Sequence, residues 1–229
     1  LDERSVAEGL AGPVDIAVLC SPNNPTGGVE SLEVVEQLLK DVPLVIVDEA
    51  YVEFARSGSS ALGLLQAHEN LVITRTFSKA WRLAGARLGY LLAHPSVIQG
   101  LMKVRLPYHL SSPSQLLGLA ALRHSDETLA AVEAIKGERA AISEGLTAMG
   151  VCVYPSDANF ILFETQPAGE GKGGTKEVWA TLLERGVLVR DYSNHPLLSN
   201  CLRVTAGTAE ETTAFLEAVE EVLGAQATI

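Results

Sequence analysis

The chain has 229 residues, 47% of them apolar and 20% charged, so it can bury a substantial core and is not a disordered segment. Seventeen Lys and Arg against 28 Asp and Glu give a net charge of −11, which disfavours general binding to a phosphate backbone. No apolar run is long enough to span a bilayer as a helix. Cys20, Cys152 and Cys201 are widely spaced and suggest neither a zinc cage nor a disulfide framework, as expected in a reducing cytoplasm. The five histidines form no ligand cluster. The first residue is Leu1, not Met, and Leu1 to Leu10 carries three acids and does not read as a signal peptide. A piece of a longer protein is the expectation.

Four short runs read as buried strands: Asp15 to Cys20, Val42 to Val47, Leu71 to Thr74 and Leu88 to Ala93. Their continuous apolar character predicts a parallel sheet covered on both faces. Between the first two, the apolar positions of Val29 to Lys40 (29, 32, 35, 38, 39) fall on one helical stripe. That is a βαβ rhythm. Ser114 to Met149 reads as a long helical stretch broken at His124 to Asp126, with Ser125 as a cap. Further strands are expected at Val151 to Tyr154, Asn159 to Phe163, Val187 to Arg190 and Cys201 to Thr205. Helices are expected at Thr175 to Arg185 and Ala209 to Leu223. The Gly-rich stretch Gln166 to Thr175 reads as an exposed loop. No internal repeat is found. The predicted division is a sheet-containing part over residues 1–105 and a smaller α/β part over 106–229.

Three loops follow the predicted strands. Ser21 to Gly28 (SPNNPTGG) is a stiff turn, and it would place Asn24 beyond a strand's carboxyl end, where parallel sheets bind ligands. A turn without chemistry is the competing reading. The second strand ends in Asp48, Glu49, Ala50, Tyr51; a carboxylate there needs a cation or hydrogen bonds, or else serves as a cap. The third strand runs into Thr74 to Gly89, which offers Thr76, Ser78, Lys79, Arg82 and Arg87. Hydroxyls and an arginine around a lysine suit a phosphate anchor beside an amine able to form a Schiff base.

Taken together, N-P-T-G at 24 to 27, D-E-A-Y at 48 to 51 and S-K-x-x-x-L-A-G-x-R-x-G-Y at 78 to 90 resemble the fold-type I pyridoxal-phosphate aminotransferases. Histidinol-phosphate aminotransferases are the nearest resemblance. It rests also on VRLPYHLS (104–111), PSDANFILF (155–163), GVLVRD (186–191) and CLRVTAGTAEE (201–211).

The resemblance implies an α/β fold: the carboxyl-terminal part of such an enzyme, with a partial, mostly parallel sheet domain and a smaller α/β domain. It implies pyridoxal 5'-phosphate as cofactor. Lys79 would hold it covalently, Asp48 would face its ring nitrogen, and Asn24 and Tyr51 would face its 3' oxygen. Ser78 and Arg87, with Thr76, would take its phosphate. Arg203 would bind the substrate carboxylate, Arg190 a second anionic group, and Asn159 would face the substrate. Arg82 is left as a surface charge. Tyr108 and His109 would line a domain junction or pack in a core or interface. The implied reaction is transamination between an amino-phosphate ester, L-histidinol phosphate, and 2-oxoglutarate, giving imidazole-acetol phosphate and glutamate. The implied setting is a cytoplasmic homodimer. Aromatic amino-acid aminotransferase, threonine-phosphate decarboxylase and a cofactor-free assembly domain are the alternatives. The motifs also begin in mid-family, so a preceding segment of about a domain's size would be needed to complete the site. Without it, sheet strands are expected to expose apolar surface.

Overall fold

The computed structural model describes residues 8–9, 11–165 and 174–226, with side chains described as far as residue 222. It forms two compact units. The first comprises Val29–Val132 and the stretch up to Asn23; the second comprises Asn24–Gly28 and the chain from Glu133 onward. Among the described residues no helix is long and apolar enough to cross a membrane.

In the first unit a four-stranded sheet has the order β1 (Ile16–Cys20), β2 (Leu44–Asp48), β3 (Leu71–Thr76), β4 (Gly89–Ala93). The first three strands are parallel, with Cys20 opposite Asp48 and Asp48 opposite Thr74 at their carboxyl ends. Helix α1 (Leu32–Asp41) is the β1–β2 crossover. It starts later than the apolar stripe suggests because the Ser31 hydroxyl accepts from Val34 N and caps it. Val35, Leu38 and Leu39 face Val45, Leu71 and Ile73, all buried. Ile16 and Val18 on β1 are exposed, as expected for apolar strand surface without a covering layer.

The fourth strand departs from the sequence reading. β4 runs antiparallel to β3. A parallel return needs a crossover, usually a helix, whereas the 77–88 segment folds back on itself. Phe77 N donates to Leu88 O (3.0 Å) and Leu83 N to Phe77 O (2.9 Å). Arg82 and Arg87 take positive φ within this turn, at 57° and 51°. At Gly89 a β-carbon would lie 2.9 Å from Arg75 O, so the backbones meet closely there.

Helix α2 (Pro95–Val104) has no counterpart in the sequence reading. Pro95 opens it, and the ring of His94, an uncommon cap, accepts from Ser96 N. Helices α3 (Ser112–Arg123) and α4 (Ser125–Ala148) break at His124, as expected. Ser125 opens α4 as its first residue. Tyr108 is 98% exposed, which removes it from any core of the described chain.

The second unit carries a three-stranded antiparallel sheet, order β5 (Phe160–Glu164), β7 (Cys201–Thr205), β6 (Arg190–Asp191). Helices α5 (Thr175–Glu184) and α6 (Ala209–Gln226) supply Leu182, Phe215 and Val219 to a core with Ile161, Phe163 and Leu202. Two expected strands shrink. Val151 to Tyr154 makes one bridge, Val153 to Phe163, before Pro155 ends it. Val187 to Arg190 pairs only from Arg190 onward, since the Trp179 indole takes the Val189 carbonyl (2.9 Å). Residues 166–173 of the expected Gly-rich loop lie outside the described residues. Thr175 opens α5 and is buried.

Candidate active site

At the carboxyl ends of β2 and β3 lies a cavity of about 490 Å³. Five residues singled out from the sequence line it: Asp48, Thr76, Ser78, Lys79 and Arg87. Strand register does most of the placing. Asp48 ends β2 opposite Thr74, and its Oδ1 accepts from Thr74 Oγ1 (3.2 Å) and Ala50 N (3.1 Å), which fixes the carboxylate's plane. Thr76 ends β3, and its hydroxyl accepts from Ser78 N (3.0 Å). That turn presents Ser78 and Lys79 together. The Lys79 ammonium stands 5.2 Å from the centre of the Tyr51 ring, which is buried. Arg87 is exposed, with Nη1 donating to Ala84 O (3.2 Å).

The reading from sequence missed the support beneath this floor. Glu49, next to Asp48, is 1% exposed. Its Oε2 accepts from Arg75 Nε (3.0 Å) and Nη2 (2.8 Å). Ser60 Oγ lies 2.9 Å from both carboxylate oxygens, and Ala61 N donates to Oε1 (2.7 Å). Arg75 adjoins Thr74, so the pair ties together the two strand ends that carry Asp48 and its partner. Burial alone would lower the Arg75 pKa, but hydrogen bonds and charge from Glu49 and Tyr90 outweigh it and raise it. The signal was present: a charge inside the strand LVITRT and an acid beside Asp48 each require a partner. Glu53 sits nearby and accepts from the Trp81 indole (3.2 Å). Burial pushes its carboxyl above the usual range.

In the second unit Arg190 and Arg203 are cross-strand partners on β6 and β7, and both line a cavity of about 380 Å³. The Arg203 guanidinium lies 4.7 Å from the Phe160 ring centre and 6.0 Å from that of Tyr192. Its Nη1 donates to Asn24 Oδ1 and to Tyr192 OH (3.4 Å). Its buried Nε has no hydrogen-bond partner among the described residues, so an acceptor brought there would relieve a cost. Asn24 is held within this unit because its loop is. Gly27 O accepts from Asp157 N (2.7 Å), and Gly27 has φ 80°. A β-carbon there would lie 2.3 Å from Ser156 Oγ. Asn159 is half-buried at the start of β5, and its carbonyl accepts from Ala206 N (2.9 Å); it does not line the cavity. Tyr192 was not anticipated, because its role depends on β6 reaching β7. Among the described residues no group of three or more His, Cys, Asp or Glu could hold a metal.

A mostly parallel sheet whose strand ends present a lysine, a carboxylate, hydroxyls and an arginine is the arrangement of the pyridoxal-phosphate folds known as fold-type I. Residues 3–219 match the family "Aminotransferase class I and II", and the chain belongs to that family. Among curated proteins it is similar to the histidinol-phosphate aminotransferase of Frankia casuarinae, 49% identical over 215 residues, 91% of this chain and 51% of that one. The enzyme of that name from Paenarthrobacter aurescens is 47% identical, over 97% of this chain and 59% of that one. The chain thus spans about half the length of the curated relatives it matches. Among solved structures, the histidinol-phosphate aminotransferase of Sinorhizobium meliloti in complex with pyridoxal-5'-phosphate superposes with a TM-score of 0.82 at 27% identity. That match covers 96% of this chain and 60% of that one.

Proposed function

We propose that this chain acts, with pyridoxal 5'-phosphate bound, in the reversible transamination between L-histidinol phosphate and 2-oxoglutarate, giving imidazole-acetol phosphate and glutamate. The observation that carries the reading is the cavity that gathers Lys79, Asp48, Ser78, Thr76 and Arg87. The names of relatives at 49% and 47% identity support the substrate. The donor set fits the cofactor: an amine for its aldehyde, a carboxylate for its ring nitrogen, hydroxyls and a guanidinium for its phosphate. When bound, the cofactor supplies an electron sink for the carbanion formed at the substrate's amino-bearing carbon.

The protein's side chains do the rest. Asp48 would hold a proton on the ring nitrogen by presenting a negative charge to it. Lys79 would anchor the cofactor and, once freed, serve as the base that moves a proton at the substrate carbon. Tyr51 and Asn24 would hydrogen-bond the 3' oxygen. Ser78, Thr76 and Arg87 would hold the phosphate. Arg203 takes the carboxylate of glutamate in bidentate fashion, which lysine does not reproduce. Arg190, the second anion-binding arginine, takes the phosphate ester of one substrate and the distal carboxylate of the other. Asn159 contributes on the substrate side. A cytoplasmic homodimer, with a further segment completing the cofactor site, is part of the proposal.

Half-reactions test the substrate. Histidinol phosphate, phenylalanine and threonine phosphate are each added to the cofactor-loaded protein, and the cofactor's absorbance is followed. Amino transfer from histidinol phosphate, faster than from the other two, is expected. Transfer from phenylalanine alone, or carbon dioxide release from threonine phosphate, would contradict the assignment.

A further inference from the structure

Arg87 is in a backbone conformation that a residue with a β-carbon seldom adopts: φ is 51° and ψ 43°. It closes the short turn Ala84–Ala86, and no glycine relieves the position. Such a residue persists only where its surroundings hold it. Among the described residues its own exposed side chain bonds only Ala84 O, three residues back within the turn. The residues on either side are held instead by one helix. Ser114 Oγ, in the first turn of α3, donates to Ala86 O at 2.7 Å. One turn further along, Gly118 is buried against Leu88: a β-carbon there would lie 2.5 Å from Leu88 Cδ2. Positions 114 and 118 share a helix face. The neighbours Leu116, Leu117 and Leu119 are exposed, so α3 meets this segment along the stripe of 114 and 118. The start of α3 is itself fixed, with Ser111 Oγ accepting from Ser114 N (3.2 Å). Behind Leu88, its carbonyl takes the Phe77 amide and so fastens it to the end of β3.

We propose that Ser114 and Gly118 are positioning residues that hold the Arg87 backbone in its left-handed conformation and thereby aim its guanidinium at the cofactor phosphate. This rests on the reading of Arg87 as a phosphate ligand. Neither residue touches the cofactor in this scheme: Ser114 acts through the Ala86 carbonyl next to Arg87, and Gly118 acts through Leu88, which also lines the cavity. Loss of the Ser114 hydroxyl leaves the Ala86 carbonyl without its bond from α3. A methyl group at 118 displaces Leu88.

The test compares the affinity for pyridoxal 5'-phosphate with that for pyridoxal, which lacks the phosphate, by absorbance titration. The variants are Ser114→Ala, Ser114→Thr, Gly118→Ala and Arg87→Gln. Arg87→Gln should remove much of the preference for the phosphorylated form. Ser114→Ala and Gly118→Ala should reduce the preference by about three- to tenfold, with pyridoxal affinity unchanged. Ser114→Thr, which keeps the hydroxyl, should retain it. A wild-type preference in Ser114→Ala, or equal loss of both ligands, overturns the positioning role while Arg87→Gln still responds. An unchanged preference in Arg87→Gln instead overturns the phosphate role of Arg87. Should Gly118→Ala fail to fold, the Ser114 pair decides.

Discussion

The two units hold their charged groups by different means. In the first, buried Glu49 is ion-paired to Arg75, which lines the cavity, with Ser60 and Ala61 completing the carboxylate's shell. In the second, the Arg203 guanidinium rests on two aromatic rings, and its buried Nε has no acceptor among the described residues. The first arrangement is closed: its charge is spent on fixing strand ends. The second is open: its hydrogen-bonding capacity is not filled by the described residues. A buried charge with a full shell supports structure, and one with a partial shell is suited to binding.

The largest expected effect comes from breaking the closed side. Glu49→Ala leaves the Arg75 guanidinium without its carboxylate partner, with Ser60 Oγ still in reach, and should cost about 3–5 kcal/mol, read as a lower urea midpoint. Glu49→Gln, which keeps acceptors for Ser60 and Ala61, should cost less. A midpoint unchanged in Glu49→Ala would show that the pair does not hold the strand ends.

On the open side, Arg203→Ala should barely change stability but raise the KM for glutamate by about ten- to a hundredfold, the loss of charge-assisted hydrogen bonds. Arg203→Lys should not restore it. The contrast fails if Arg203→Ala unfolds the protein as readily as Glu49→Ala does. Tyr192→Phe keeps the ring and removes only a 3.4 Å contact, so its effect on KM should be about twofold or less.

The smallest effect concerns Glu53. Burial raises its carboxyl above the ordinary value of 4.5. In the window just above that value the folded protein keeps a proton that the unfolded chain has released. Stability contributed there is therefore lost as pH rises through it. Glu53→Gln should flatten stability against pH in the window just above 4.5, with the Trp81 contact kept by the amide oxygen. A profile identical to wild type would remove Glu53 from the pH response.

Much of the first cavity's surroundings was legible because its residues are contiguous. Asp48 and Tyr51 share one strand end, and Thr76, Ser78 and Lys79 share another, so strand assignment alone places them. The antiparallel turn of β4 was not legible. Its cause is the pair of left-handed residues Arg82 and Arg87, and apolar periodicity carries no strand direction. Glu49 with Arg75 was within reach, since two charges in apolar strands require each other. Tyr192 beneath Arg203 was not, because that contact depends on the register of a two-residue strand. The brace of α3 on Ala86 and Leu88 was also hidden. Ser114 and Gly118 read as ordinary helix residues until the turn they hold is seen.

The central claim is that the first unit's cavity carries a lysine committed to a carbonyl cofactor. Borohydride reduction of the protein with pyridoxal 5'-phosphate, followed by peptide mapping, tests it most directly. One dominant reduced adduct is expected, on the peptide containing Lys79, and it should be lost in Lys79→Ala. No adduct on folded protein, or adducts spread evenly over Lys40, Lys103, Lys136 and Lys176, would contradict it.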